Sequence, residues 1–324
     1  MTLTDFLEHT KNPEIINAFC KAQRYLNKFK KAHCSISGGA DSDVMLDLII
    51  KADTDKKVSY GFYNTGIEYE ATKKHLDYLR SKYGVEIKEY RAKCPVPLAC
   101  KKYGQPFISK FVSEMIQRLQ RHNFNWADRP FEELLTKYPG CKAALKWWCN
   151  LNGENSRFNI DYNKLLKEFM VANPPDFNIS NKCCTYAKKN VAKEAEKQEQ
   201  CDLMIMGVRK AEGGIRAAAY KSCFSESNLN SIAMFRPLFW VTNSDKKEYE
   251  QDCEIAHSDC YTVYGMNRTG CAGCPFGRDF EKELEIIKKY EPQLYEAVTN
   301  IFGNSYEYTR KYCEFKKIRG NDND

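Results

Sequence analysis

The sequence predicts a doubly wound, mostly parallel α/β sheet with a helical insertion and a cysteine-rich C-terminal region. Three observations carry this. Three strand-then-helix patterns follow one another between residues 32 and 100. A helix-rich stretch over 101–180 then interrupts the rhythm, which resumes with a buried strand over 202–207. Cysteines, 15 in all, recur as close pairs in the second half of the chain. The chain therefore divides into 1–100, the N-terminal half of the α/β domain; 101–180, the insertion; and 181–324, the C-terminal half with its cysteine cluster and terminal helices.

Residues 1–31 read as a helical lead-in with Phe6, Ile15, Ile16, Phe19, Tyr25 and Leu26 as its apolar stripe. A short β-leaning run, 32–36, precedes a glycine loop and a helix that carries Val44, Met45, Leu46, Leu48, Ile49 and Ile50. The second strand, 58–63, ends in Asn64-Thr65-Gly66-Ile67-Glu68 and opens a helix to residue 82. The third strand covers 85–90. Within the insertion, helices are predicted over 107–119 and 162–169, the pair Trp147-Trp148 reads as core, and Pro174-Pro175 closes the segment. A helix over 184–199 leads to the strand at 202–207, and 232–238 is a further strand. Residues 279–313 are helical, and the polar end 320–324 frays.

Composition sets outer bounds. A 43% hydrophobic chain of 324 residues builds one large or two modest domains with a real core. Fifty basic against 43 acidic residues give a net charge of +7, a weak pull toward anionic partners that nucleotides satisfy as well as nucleic acid. No run approaches the ~18 apolar residues of a membrane span, and residues 1–30 lack a signal core. The expectation is a protein of the cytoplasm with no membrane partner. In such a reducing compartment clustered cysteines are metal ligands or reactive thiols more often than disulfides.

The glycine loop, Ser35-Ile36-Ser37-Gly38-Gly39-Ala40-Asp41-Ser42, is the stretch around which the rest is organised. Glycines let the backbone approach a ligand closely, and the free N–H groups of the following helix favour an anion, most often phosphate. Ser42 and Asp43 are N-cap candidates for that helix. In parallel sheets ligands sit beyond the carboxyl ends of the strands, so the loops after the first two strands point at one site. The loop after the strand at 202–207 adds Gly207, Arg209, Glu212 and Arg216, and two arginines offer planar forks for phosphate or sulfate oxygens. Asp41 is a candidate to orient a metal–phosphate or a substrate hydroxyl, and it is equally suited to capping the turn.

The glycine loop resembles the Ser-Gly-Gly-x-Asp-Ser loop of PP-loop ATP pyrophosphatases. With Thr65-Gly66, with Gly207, Arg209 and Arg216, and with Cys183-Cys184 followed by Cys271-Ala272-Gly273-Cys274, the chain resembles the phosphoadenosine phosphosulfate reductase family over most of 32–280 outside the insertion. The resemblance implies an adenine nucleotide alpha hydrolase-like fold. It implies nucleotide contacts from Ser35, Ser37, Gly38, Gly39, Asp41, Ser42, Thr65, Gly66, Glu68, Gly207, Arg209 and Arg216. It also implies a [4Fe–4S] cluster on Cys183, Cys184, Cys271 and Cys274. Soft thiolates by themselves suit zinc or iron–sulfur clusters, and buried free thiols are a third possibility. Cys260 is an alternate ligand for one member of the adjacent pair. Cys141, Cys149 and Cys223 read as buried thiols, and His257 as structural.

The chain departs from the family's reductases at two places. Those enzymes end in Glu-Cys-Gly-x-His, whereas this chain has Lys311-Tyr312-Cys313-Glu314-Phe315. Cys313 is the candidate nucleophile in that frame, and a solvent-facing helical cysteine is the plainer reading. The glycine loop keeps the ATP-cleaving form that sulfonucleotide reductases alter. Three functions follow as expectations: nucleotide-dependent sulfur metabolism of the sulfonucleotide reductase type; ATP-dependent adenylation with cluster-dependent sulfur transfer onto nucleic acid; and a non-catalytic regulator that binds nucleotide and cluster. The ligands are ATP or an adenylyl sulfonucleotide, with Mg2+ as a companion ion. The macromolecular partners are a sulfur donor or thiol reductant protein and, in the second function, nucleic acid.

Overall fold

The computed structural model describes residues 1–213, 219–228, 231–277 and 279–321. These fall into two compact units. One comprises residues 1–92 and 188–271, the other 93–187 and 272–324.

The first unit is built on a sheet of β1 (Ala32–Ile36), β2 (Val58–Asn64), β3 (Ile87–Arg91), β4 (Leu203–Met206), β5 (Phe224–Ser225) and β6 (Ala233–Phe235). The strand order is β3-β2-β1-β4-β6-β5. All neighbours run parallel except the two-residue edge strand β5. The central strands alternate Cys34 and Ile36 with Leu203 and Ile205 as buried apolar residues, which continuous β-branched and aliphatic runs favour. Helices Leu3–His9, Pro13–Lys28 and Ala40–Ala52 pack Phe6, Phe19, Leu26, Val44, Leu48 and Ile49 into the same core. Asn12 caps the second of these by accepting hydrogen bonds from Glu14 N and Ile15 N, both at 3.1 Å, and Pro13 follows it at the first helical position. Thr242 caps the helix Asn243–Asp252 in the same unit with a reciprocal Asp245 contact.

The fold class predicted from the sequence is the one observed. Two local readings are corrected. The Ala40–Ala52 helix starts before Ser42 and Asp43, with Gly39 at its N-cap, so those two side chains lie in the first turn. The strand predicted over 232–238 is shorter: it ends at Phe235, where a turn closed by Phe239 N on Arg236 O begins, and Arg236 donates to Ser222 O and Ser225 Oγ. The two-residue β5 lies below the length at which alternation is readable.

The second unit is helical: Val96–Tyr103, Lys110–Arg121, Phe131–Lys137, Lys142–Trp148, Leu166–Ala172, Phe280–Tyr290 and Pro292–Asn321. Its core joins Phe107, Ile116, Leu119, Trp147, Trp148, Phe169, Tyr308 and Tyr312. Trp147 and Trp148 are fully buried, as their sequence context predicts, and Trp148 Nε1 donates to Ala127 O at 3.1 Å. Tyr308 and Tyr312 insert their rings and hand their hydroxyls to the backbone carbonyls of Asn173 and Lys164, each at 2.7 Å.

Candidate functional site

The strand order reverses direction between β1 and β4, and ligands of open parallel sheets bind beyond the carboxyl ends of the strands at such a point. The loops that leave these two strands are the glycine loop and the Gly207–Arg209 turn. They adjoin: a Cβ on Gly207 would stand 3.3 Å from Asp41 O.

The glycine loop owes its shape to its own hydroxyls. Ser42 Oγ accepts from Ser37 N at 2.9 Å, Ser37 Oγ accepts from Gly39 N at 3.3 Å, and Ser35 Oγ donates to Tyr63 OH at 3.0 Å. Gly38 takes φ +67°, a conformation glycine adopts without a side-chain penalty. Around Gly39 three hydroxyls gather: a Cβ there would lie 3.2 Å from Tyr261 OH, 3.2 Å from Thr269 Oγ1 and 3.3 Å from Ser37 Oγ. Tyr261 OH also accepts from Ala40 N at 3.2 Å. Tyr261 and Thr269 carried no motif, and only the fold brings them to the loop.

Beside the loop runs a ladder of alternating charge. Arg209 Nε and Lys246 Nζ both stand 3.0 Å from Asp41 Oδ1. Lys246 Nζ is also 3.2 Å from Glu250 Oε1, which lies 2.8 Å from His257 Nε2. His257 Nδ1 is 2.9 Å from Asp43 Oδ2, and His75 Nε2 is 3.0 Å from the same oxygen. Burial alone would raise the Asp41 carboxyl, but the Arg209 and Lys246 cations outweigh it and hold it below the usual carboxylate range. Burial likewise opposes charge on His257, and its hydrogen bonds to Asp43 and Glu250 prevail and lift it to about 9. Glu250 is lowered by His257 and Lys246 against its own burial. His257 is thus a charged member of the ladder rather than a lone packing residue. Lys246, Glu250 and His75 were not singled out in the sequence. The i,i+4 spacing of Lys246 and Glu250 was the one visible signal.

Arg209 is buried and turns its fork to the protein, with Nη1 donating to Asn243 Oδ1 at 3.0 Å and to Val241 O at 3.4 Å. Glu212 Oε1 accepts from the backbone N of Arg209 at 3.3 Å. Arg216 lies outside the described residues. At the β2 exit, Glu68 Oε1 accepts from both Thr65 N (2.8 Å) and Thr65 Oγ1 (2.6 Å), and Gly66 takes φ +89°. Cys271 Sγ donates to Thr65 Oγ1 at 3.6 Å, and burial pushes its thiol up. Cys260 is fully buried, with its sulfur 3.8 Å from Thr72 Oγ1.

In the helical unit, Cys183 forms thiol hydrogen bonds with Cys100 and Cys184 and feels Cys274 electrostatically, and the Cys100 contact is the largest cause that pushes its thiol up. The helices Val96–Tyr103 and Lys182–Cys184 pack on each other here, and Cys100 and Cys183 are both buried. Four thiols in one region suit a soft metal or an iron–sulfur cluster in donor chemistry. Among the described residues, no three His, Cys, Asp or Glu side chains converge as ligands on one point. Cys100, six residues after Cys94, was not singled out in the sequence. Cys313 is exposed on the Pro292–Asn321 helix. Cys141 is buried as expected, whereas Cys149 and Cys223 are only partly so.

Residues 31–125 match the phosphoadenosine phosphosulfate reductase domain family. The match includes the glycine loop and the Thr65-Gly66 turn, so the family resemblance read from those motifs is borne out there, and the observed sheet is consistent with the PP-loop superfamily. Among solved structures, the phosphoadenylyl-sulfate reductase of Candida auris in its phosphate complex is 14% identical, with a TM-score of 0.44 over 78% of this chain and 86% of that one. The U34-tRNA thiolase NcsA of Methanococcus maripaludis with its [4Fe–4S] cluster is 14% identical, with a TM-score of 0.38 over 90% and 78%. The NH3-dependent NAD synthetase of Campylobacter jejuni, in complex with nitrate, is 11% identical, with a TM-score of 0.37 over 95% and 97%. No curated protein matches the chain. No helix among the described residues is long and apolar enough to cross a membrane.

Proposed function

We propose that the protein binds an adenine nucleotide at the glycine loop and uses it in sulfur chemistry of the sulfonucleotide reductase type. The observation that carries this reading is the loop at the end of β1. Its hydroxyls and backbone are folded around Gly38 and Gly39 at the start of a 13-residue helix, beside the charge ladder on Asp41. Ser37, Gly38, Gly39, Ala40 and Ser42 line the phosphate end, Thr65 and Gly66 flank it from β2, and Gly207 flanks it from β4. Asp41 acts by holding Arg209 and Lys246 in place. Cys183, Cys184 and Cys274, with Cys100 beside them, are the residues that would hold an iron–sulfur cluster, which supplies electron or sulfur transfer when bound. Such thiolates fit the reducing cytoplasm, and a thiol reductant protein is the natural partner.

A second reading is favoured by one observation: the loop keeps the ATP-type Ser37-to-Ser42 form. In that reading ATP adenylates an acceptor, nucleic acid included, and sulfur follows. One experiment tests both. Purified protein is melted with ATP and with an adenylyl sulfonucleotide, since a native-state ligand raises Tm by linkage, and each mixture is assayed for pyrophosphate and for sulfite. A sulfonucleotide shift with sulfite release in the presence of a dithiol supports the first reading. An ATP shift with pyrophosphate release supports the second. No shift with either nucleotide overturns both.

A further inference from the structure

We infer that Lys246 is the cation that meets the nucleotide's phosphates, an inference that rests on the nucleotide reading of the glycine loop. The sequence assigned this task to Arg209 and Arg216. Arg209 is 6% exposed, and its fork is directed to Asp41, Val241 O and Asn243 Oδ1, which suits it to anchoring the loop. Lys246 comes from the capped helix Asn243–Asp252 and reaches Asp41, the second residue of the Ala40–Ala52 helix. An ammonium has three donors. Two carboxylates engage this one, Asp41 at 3.0 Å and Glu250 at 3.2 Å, and its side chain keeps 15% exposure.

The sign of the charge is informative. The start of a helix carries a positive partial charge, so a cation placed there opposes helix stability unless an anion joins it. Lys246 is held against that field by Asp41 and by Glu250, whose Oε1 His257 Nε2 also engages. Surface lysines with four flexible bonds do not adopt such a position without tethers. The arrangement presents a compact point charge at the end of a loop whose N–H groups favour phosphate, and a Lys ammonium binds phosphate in that way.

The test is calorimetric titration of the full chain with ATP, with an adenylyl sulfonucleotide and with adenosine. Lys246→Gln is expected to weaken binding of the phosphate-bearing ligands by about ten- to a hundredfold and to leave adenosine affinity unchanged. The salt dependence of ATP binding is expected to shrink in the variant, since one ionic contact is gone. Lys246→Met keeps the length and packing of the stem and serves if Lys246→Gln does not fold, with circular dichroism as the check. Wild-type affinity for the phosphate-bearing ligands in a folded variant overturns the inference and leaves the nucleotide reading standing. Equal losses for ATP and adenosine overturn it too, since they mark a structural role. Absence of binding by the wild-type protein overturns the nucleotide reading, and this inference with it.

Discussion

His257 Nδ1 stands 2.9 Å from Asp43 Oδ2, one residue past the Ser42 hydroxyl that closes the glycine loop on Ser37 N. With its other nitrogen on Glu250, the imidazole is held protonated up to about pH 9. A base whose pKa is raised on folding stabilises fully below its unfolded value of about 6.5, and that contribution fades as pH rises through 9. Thermal melts of the wild type are expected to fall between pH 7 and 9.5, by up to about 3 kcal/mol from this group. His257→Gln should start lower and show a flatter profile in that window. An equally steep alkaline decline in the variant would assign it to other groups.

His33 works in the opposite direction. It is fully buried in β1, accompanied by Ser59 Oγ at 2.9 Å from Nδ1, and burial drives its pKa down to about 4. A base depressed on folding stabilises above about 6.5, and the contribution is lost as pH falls toward 4. Acid titration followed by circular dichroism should show an early loss of stability in the wild type. His33→Asn, which cannot charge, should shift that loss to lower pH even if its overall stability is reduced.

A side chain at Gly38 is costly for two reasons. Its φ of +67° is strained for other residues, and a Cβ would lie 2.8 Å from Thr72 Cγ2. Gly38→Ala is expected to cost about 1–3 kcal/mol and to weaken nucleotide binding as the loop shifts. Gly39→Val should abolish binding, because its branches meet Tyr261 OH and Thr269 Oγ1. Chemical denaturation and nucleotide titration check both. Unchanged affinity in folded Gly39→Val would remove the loop from the site.

The thiols of the helical unit give a spectroscopic prediction. Protein isolated without air should be brown, with about four irons per chain if one cluster is bound. Cys183→Ser is expected to bleach it, and Cys100→Ser to lower its iron content, since Cys100 is hydrogen-bonded to Cys183. Bleaching by Cys271→Ser would bring that thiol, described here on Thr65, into the ligand set; bleaching by Cys260→Ser would do the same for Cys260. One zinc per colourless chain would replace the cluster with a structural metal.

Trp148 is buried and hydrogen-bonded through Nε1, packed edge-on to Phe124 and Trp126. Trp148→Ala should cost about 3–5 kcal/mol, read by urea denaturation, through lost burial and the cavity left behind. A loss under 1 kcal/mol would mean that the helical unit collapses around the gap.

Periodicity settled much from the sequence alone. Strands such as 32–36 and 58–63 stood out because short, β-leaning runs there are bounded by turn residues, and the glycine loop stood out because phosphate-binding turns need consecutive small residues at a helix start. The same local logic failed at the first turn of the Ala40–Ala52 helix, where Ser42 looked like a cap and instead closes the loop from within. Tertiary structure decided what acts on that loop. Tyr261, Thr269, Lys246 and His257 are far from it in the chain and belong to no motif, and a hydrogen bond or ion pair at 3 Å leaves no trace in local periodicity. Cys100 escaped notice for the same reason. Its place beside Cys183 depends on two helices packing together, and side-chain chemistry at such a junction is set by the fold rather than by neighbours in sequence.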